Sequence, residues 1–234
     1  MNRRRSAIED ELTHRERLRE LAEVDLDAPV DRLRDPIDAY NAAVEDAFET
    51  FRESAPAREV FAFLEHTRWF PLVEFERPPE DVRTYVESNP AGEYAIPKLL
   101  EFAEYSPSKL AHHVDDADAL KRSIATRRTY LRRIDAEPLT IGWPPAPADE
   151  LRYRIRELRP LVERIADEST VTRLREIRRL TYDADYDRLQ TAATATEQLS
   201  EADRKRLTDG RLDAEIEALE AERDRLTALL EESA

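Results

Sequence analysis

The chain has no cysteine, so no disulfide, thiolate nucleophile or cysteine-type zinc site is open to it. Glycine is nearly as scarce: Gly92, Gly142 and Gly210 are the only three in 234 residues, and they stand far apart. A dinucleotide fingerprint and a phosphate-cradling loop both need clustered glycines, for the tight turn and for close backbone approach to phosphate. Nucleotide chemistry by those two routes is excluded. Lysine is rare as well, with Lys98, Lys109, Lys121 and Lys205 the only four among 37 basic residues. The longest uninterrupted apolar run, Val60 to Leu64, is five residues long, against about 18 for a membrane span. The N-terminus, "MNRRRSAIEDELTHRERL", begins basic and stays charged, with no apolar signal-peptide stretch. A cytoplasmic protein without membrane contact is expected.

Charge is abundant instead. Charged residues make up 38% of the chain and the net charge is −15, where about 25% charged is ordinary for globular domains. An acid excess with little lysine resembles the composition of proteins from extreme halophiles, whose carboxylates stay hydrated in multimolar salt. There the Debye length is about 3 Å or less, and long-range charge steering is nearly lost. Hydrophobic residues at 41% and aromatics at 7% allow a modest core.

Apolar spacing predicts an all-α chain with one short two-stranded β-ribbon as the only candidate exception. Residues 1–34 read as an N-terminal amphipathic helix with Ile8, Leu12, Leu18 and Leu21 on a narrow stripe. Residues 35–147 read as a central helical domain, opening at Asp35-Pro36 with proline at the first helical position. Within it, "WFPLVEFERPP" and "EPLTIGWPPAP" are proline-punctuated and strand-like, and are the two candidates for the ribbon. Residues 148–234 read as a C-terminal helical hairpin or coiled-coil arm. Here Leu151, Ile155 and Leu158 share a face, Pro160 predicts a kink or a restart, and Leu161, Val162 and Ile165 continue. Ser200 with Asp203 has capping-box spacing, although Glu or Gln is usual at the second site. Gly210 punctuates a turn, after which Leu212, Ile216, Leu219, Leu226 and Leu230 follow a heptad seam with Arg223 in the remaining core position. That seam is a candidate helix–helix interface, within the chain or with a second copy.

The segment "SKLAHHVDDADALKRSIATRRTYLRRI", residues 108–134, concentrates the candidate chemistry. His113 falls on the apolar stripe of Leu110, Val114 and Leu120, which predicts packing. His112 projects about 100° away and could share a cation with Asp116 only if a third ligand came from elsewhere. No metal site or cofactor is expected. Asp115 and Asp116 are good N-caps, so the segment divides into helices over 96–105, 107–114 and 117–134. From Lys121 to Arg133 there are six basic residues and no acid: Lys121, Arg122, Arg127, Arg128, Arg132 and Arg133. These could contact nucleic acid or another anionic partner. They could equally pair with the chain's own acidic segments, since they scatter around the helix. No G-x-S-x-G, H-E-x-x-H or kinase-type motif occurs, and carboxylate pairs such as Glu101/Glu104 are uninformative in so acidic a chain. No catalytic residue is assigned.

Two resemblances follow from these residues. The order of helices around "KLAHHV", with Leu110, Ala111 and Val114 at apolar positions and "PLTIGW" where a wing strand would fall, is similar to winged-helix regulators. It implies a DNA-binding protein using the basic helix 117–133, with Asp115 standing where that family usually has glycine. The "YSPSKLAHHVDDADALKRSIATRRTYLRRI" core, with its charged helical ends, resembles an uncharacterised family of haloarchaeal helical proteins, which implies a setting and no activity. The expectation is a non-enzymatic structural or adaptor protein. Its coiled-coil-like surfaces would contact a protein partner or a second copy of the chain as a homodimer, with nucleic acid as the less favoured partner.

Overall fold

A computed structural model describes residues 2–22, 24–209 and 212–231. Among them there is no strand. The helices are α1 (Asn2–Ala22), α2 (Asp31–Ser54), α3 (Ala57–Thr67), α4 (Glu80–Ser88), α5 (Ile96–Phe102), α6 (Pro107–Leu110), α7 (Ala117–Ser123), α8 (Arg128–Arg133), α9 (Ala148–Ile165), α10 (Glu168–Leu180), α11 (Tyr186–Gln198), α12 (Glu201–Thr208) and α13 (Leu212–Glu231). None is long and apolar enough to cross a membrane, among the described residues. The chain divides into two compact units rather than the three consecutive stretches expected from sequence. One holds residues 1–32, 144–146 and 184–234, and the other 33–143 and 147–183.

In the first unit the terminal helices pair with each other. Arg4 reaches Glu222 and Arg15 reaches Glu215, so α1 and α13 run antiparallel. Ile8, Leu12 and Leu18 form a core with Leu199, Leu212 and Ile216, and Leu21, Leu219 and Leu226 pack against it half-buried. The heptad seam of α13 is thus occupied within the chain. Gly210 and the side chain of Leu230 lie outside the described residues. Arg15, overlooked in the sequence, is buried on the same stripe of α1 and bonds Glu11 and Glu215.

The cap of α12 is a capping box with Asp in place of Glu. Ser200 Oγ accepts from the Asp203 N–H at 3.2 Å, and the Asp203 carboxylate accepts from the Ser200 N–H at 3.3 Å. The Ser200 hydroxyl and then its N–H hold the Asp203 carboxyl below the usual carboxylate range, against the opposing effect of burial. A depressed folded value means that this contribution is present above the unfolded pKa of about 4 and is lost as pH falls through the folded one. Thermal melts from pH 7 to pH 2.5 should therefore show the native chain losing more stability below pH 4 than Asp203→Asn does. Parallel profiles would remove the carboxylate from the cap.

The second unit is built on a phenylalanine cluster. Phe48 and Phe51 of α2 meet Phe63 of α3 and Phe75 of the following segment, with ring centroids 5.6 to 6.5 Å apart. Helix α2 starts at Asp31, a turn before the expected Asp35-Pro36 start, and carries Pro36 inside it. One backbone bond is forfeited there, while Leu33, Ile37, Tyr40 and Val44 continue the buried stripe through the proline. Helix α9 likewise runs through Pro160 without restarting. Its buried face is Leu151, Ile155, Leu158, Leu161 and Val162, as the spacing predicts. Gly92 matters sterically, because a Cβ there would lie 2.0 Å from the Val86 carbonyl oxygen at the end of α4.

The two candidate segments for a β-ribbon are packed loops instead, and the reason is visible. The two strand-like segments have their backbone groups taken by side chains. Asn41 Nδ2 donates to the Ile141 carbonyl and Asn41 Oδ1 accepts from the Ile141 N–H, both at 2.8 Å. The Tyr40 hydroxyl donates to the Leu139 carbonyl at 2.9 Å, and burial holds this phenol well above its usual pKa. Arg154 of α9 then ties the segments together, donating to Leu72 O on one and to Pro138 O and Thr140 O on the other. Glu157 accepts the Leu72 N–H at 2.7 Å. With those groups satisfied, neither segment needs a partner strand.

Candidate functional site

The basic segment of residues 117–134 is not one helix. It breaks into α7, a single 3₁₀ turn over residues 125–127, and α8. The Thr126 hydroxyl donates to the Arg122 carbonyl, the group a continuing helix would need, and such back-bonding bends helices. The helix expected at 107–114 shortens to α6, capped by Ser106 as its Ser-Pro start predicts. Asp116 caps α7 by accepting from the Ala119 N–H at 2.7 Å, as expected.

Four of the six cations are engaged within the chain. Lys121 Nζ donates to Ala103 O at 2.7 Å and Tyr105 O at 2.6 Å, and Arg128 Nη2 donates to Ala103 O at 3.1 Å. Both therefore sit at the C-terminal end of α5, where unpaired carbonyls and the helix dipole favour cations. Arg127 pairs with Asp81 of α4 at 3.0 Å, and Arg132 with Glu104 at 3.6 Å. Arg122 and Arg133 are exposed. His113 stacks on Phe102 with centroids 5.2 Å apart and meets Tyr105 at 5.5 Å, in a packing role at the surface rather than in the core. His112 is exposed, and no group of three or more metal-ligating side chains assembles among the described residues.

A different surface combines exposed aromatics with arginines. Helices α9 and α10 pack as a hairpin in which Arg152 Nη1 donates to Thr181 O at 2.8 Å. At about 100° per residue, Tyr153, Arg156, Pro160 and Arg164 share the outward stripe of α9, and all four are exposed. Arg179 and, just beyond α10, Tyr182 are exposed on the neighbouring helix. Tyr153 is 57% exposed and Tyr182 63%, and each carries a guanidinium 4.7 Å from its ring centroid, Arg156 and Arg152 respectively. On the other flank of α9, the Leu72 backbone bonded by Arg154 and Glu157 brings in exposed Leu72, three residues after exposed Trp69 with Arg68 over its ring.

Sequence reasoning passed over this surface because outward residues were read only as the complement of a buried stripe. One signal was available: tyrosine is a costly choice for a fully solvated helix position, and two stand there beside arginines. Cavities of the second unit are shallow by comparison. One of about 760 Å³ opens between Leu64, Phe70, Phe75 and Arg83 with glutamates at its rim. It brings no nucleophile next to a base.

A family model described as a domain of unknown function (DUF7118) matches residues 1–230. No curated protein and no solved structure matches the chain.

Proposed function

We propose that this chain, which belongs to the DUF7118 family over nearly its whole length, is a non-enzymatic helical adaptor that recognises an anionic partner through the outer face of the α9–α10 hairpin. The observation that carries this reading is the pairing of exposed Tyr153 and Tyr182 with guanidinium groups on a rigid two-helix scaffold. Tyrosine, tryptophan and arginine are the residues that dominate the energetics of protein recognition surfaces. Of the two stacked arginines, Arg152 is taken by the Thr181 carbonyl and the Asp149 carboxylate, and Arg156 keeps N–H donors for an acid.

The coiled-coil seam that first suggested an adaptor supports it less, because Leu212 and Ile216 are buried against α1. The duplex-DNA reading through residues 117–133 also has less support, since Lys121 and Arg128 point their donors at backbone carbonyls. The acidic, lysine-poor composition supports a high-salt setting, in which contacts at touching distance outlast long-range attraction.

The test is chromatography on phosphocellulose at pH 8 and about 0.2 M salt. At that ionic strength the Debye length is under about 10 Å, so local charge outweighs net charge. The native chain should be retained in spite of its net charge of −15, and the triple variant Arg156→Glu, Arg164→Glu, Arg179→Glu should flow through. Native protein in the flow-through would sink the proposal.

A further inference from the structure

The charge balance on the hairpin's outer face narrows the partner. Arg156, Arg164 and Arg179 are exposed and form no ion pair among the described residues. In a chain with 52 acidic side chains against 37 basic ones, unpaired arginines are the unexpected case. The carboxylates between them are already engaged. Glu163 accepts from Arg159 at 2.7 Å, Glu168 pairs with Arg175 at 2.6 Å, and Glu157 holds the Leu72 N–H. Asp149, on the outward stripe of α9, pairs with Arg152, and Glu176 is exposed one turn before Arg179 on the same face of α10. What faces solvent is thus a cationic strip, with Arg156 and Arg164 about 12 Å apart along α9 at 1.5 Å per residue. One exposed tyrosine stands on α9 beside it and the other just past the end of α10.

We infer that this strip binds single-stranded nucleic acid, an inference that rests on the anionic-partner reading above. The arginines would take phosphates and the tyrosine rings would stack bases. Each ring has a guanidinium on one side, which leaves the other face open and makes a base on it one layer of a cation–π–base stack. A single strand fits better than a duplex, because the exposed tyrosine rings need unpaired bases to stack on, and the two free arginines of α9 are too few to follow a groove. The cations of residues 121–133 that might have done so are largely held by carbonyls and carboxylates. An acidic protein segment would satisfy the arginines but would leave two tyrosine faces without a planar partner.

The experiment measures fluorescence anisotropy with labelled oligo-dT and oligo-rU of 15 nucleotides, a duplex of equal length, and an oligo-glutamate peptide. Each is titrated with the intact chain between about 0.2 and 2 M salt. Three phosphate contacts predict a slope near −2 in log affinity against log salt for single strands, hence about a 100-fold loss across that range. The triple variant Arg156→Ala, Arg164→Ala, Arg179→Ala should flatten this slope and weaken binding more than tenfold at the low-salt end. Tyr153→Ala and Tyr182→Ala should each cost about tenfold, and the corresponding Tyr→Phe variants should bind like the native chain. All five positions are exposed, so these variants keep the fold. Single-strand binding indifferent to the five residues would overturn the inference, as would tighter binding of the duplex. Binding of oligo-glutamate without either oligonucleotide would overturn it and leave the anionic-partner reading standing. No binding to any probe, with native protein also in the phosphocellulose flow-through, would overturn both.

Discussion

Replacing Phe48 by alanine is expected to lower the stability of the second unit by about 4 kcal/mol. Phe48 is 1% exposed and its ring meets Phe51, Phe63 and Phe75 at 6.5, 6.1 and 5.6 Å. Truncating a buried phenylalanine typically costs about 3–5 kcal/mol through lost transfer free energy and the cavity left behind. Each lost ring pair removes about 0.5–1.5 kcal/mol beyond the area term, partly counted in that range already. The effect should stand near the top of the range here. The chain has seven phenylalanines and four are in this cluster, so there is little other aromatic mass to close the gap. Urea denaturation should show a lower midpoint with an unchanged slope. Phe48→Leu should recover roughly half of the loss. A cost under about 2 kcal/mol for the alanine variant would mean that the neighbouring rings collapse into the space, and that the cluster is not the keystone it resembles.

Arg154→Ala should cost about 3 kcal/mol, although no carboxylate among the described residues pairs with Arg154. Its guanidinium donates to three carbonyls, those of Leu72, Pro138 and Thr140, at 3.2, 3.3 and 3.0 Å. Hydrogen bonds to a charged group contribute about 1.5–3 kcal/mol each in favourable cases. Removing the donor also strands acceptors that have lost access to water. The three are not additive, since one side chain makes them all. Arg154→Lys keeps the charge and a single point of donation, but loses the fork that spans two segments, so it should recover less than half. Equal stability of the lysine variant and the native chain would show that charge alone holds these segments. The signature of the alanine variant is local: the amides of Leu72 and Ile141 should lose hydrogen-exchange protection before those of α3 do.

These two positions mark the limits of what the sequence disclosed. Periodicity located the buried faces of α1, α9 and α13 with little error, because a stripe at helical spacing is a local property of the chain. The Ser200–Asp203 box was legible for the same reason, being contained within four residues. What escaped depended on contacts between distant residues. "EPLTIGW" has the composition of a strand, yet Asn41 and Tyr40, about a hundred positions earlier, take the backbone groups a partner strand would have used. The basic run 121–133 suggested a continuous reading helix. Its bend at Thr126 and the capture of Lys121 and Arg128 by α5 depend on tertiary placement. The leucine stripe alone left hairpin and oligomer open, and the packing of Leu212 and Ile216 against α1 depends on residues about 200 positions away. The arginine–tyrosine face was missed because it has no buried period at all.

Arginine in this chain repeatedly donates to a carbonyl at a helix end, in some cases with an acid beside it, as Glu93 is beside Arg58 and Asp149 beside Arg152. Arg58 reaches Asn89 O after α4, Arg128 reaches Ala103 O after α5, and Arg152 reaches Thr181 O after α10. Arg52 donates to Ile134 O after α8, and Arg204 to Thr196 O near the end of α11. Helix C-termini are commonly closed by a glycine in the left-handed conformation. With three glycines in the whole chain, that closure is scarce, and guanidinium groups from elsewhere take over the exposed carbonyls. Such positions accept few replacements as sequences drift. Lysine takes such a position once, where Lys121 donates to Ala103 O and Tyr105 O, and glycine at the helix end would remove the need for the cation only if both changes came together. Arginine and glycine content are coupled here, and a relative richer in one is expected to be poorer in the other.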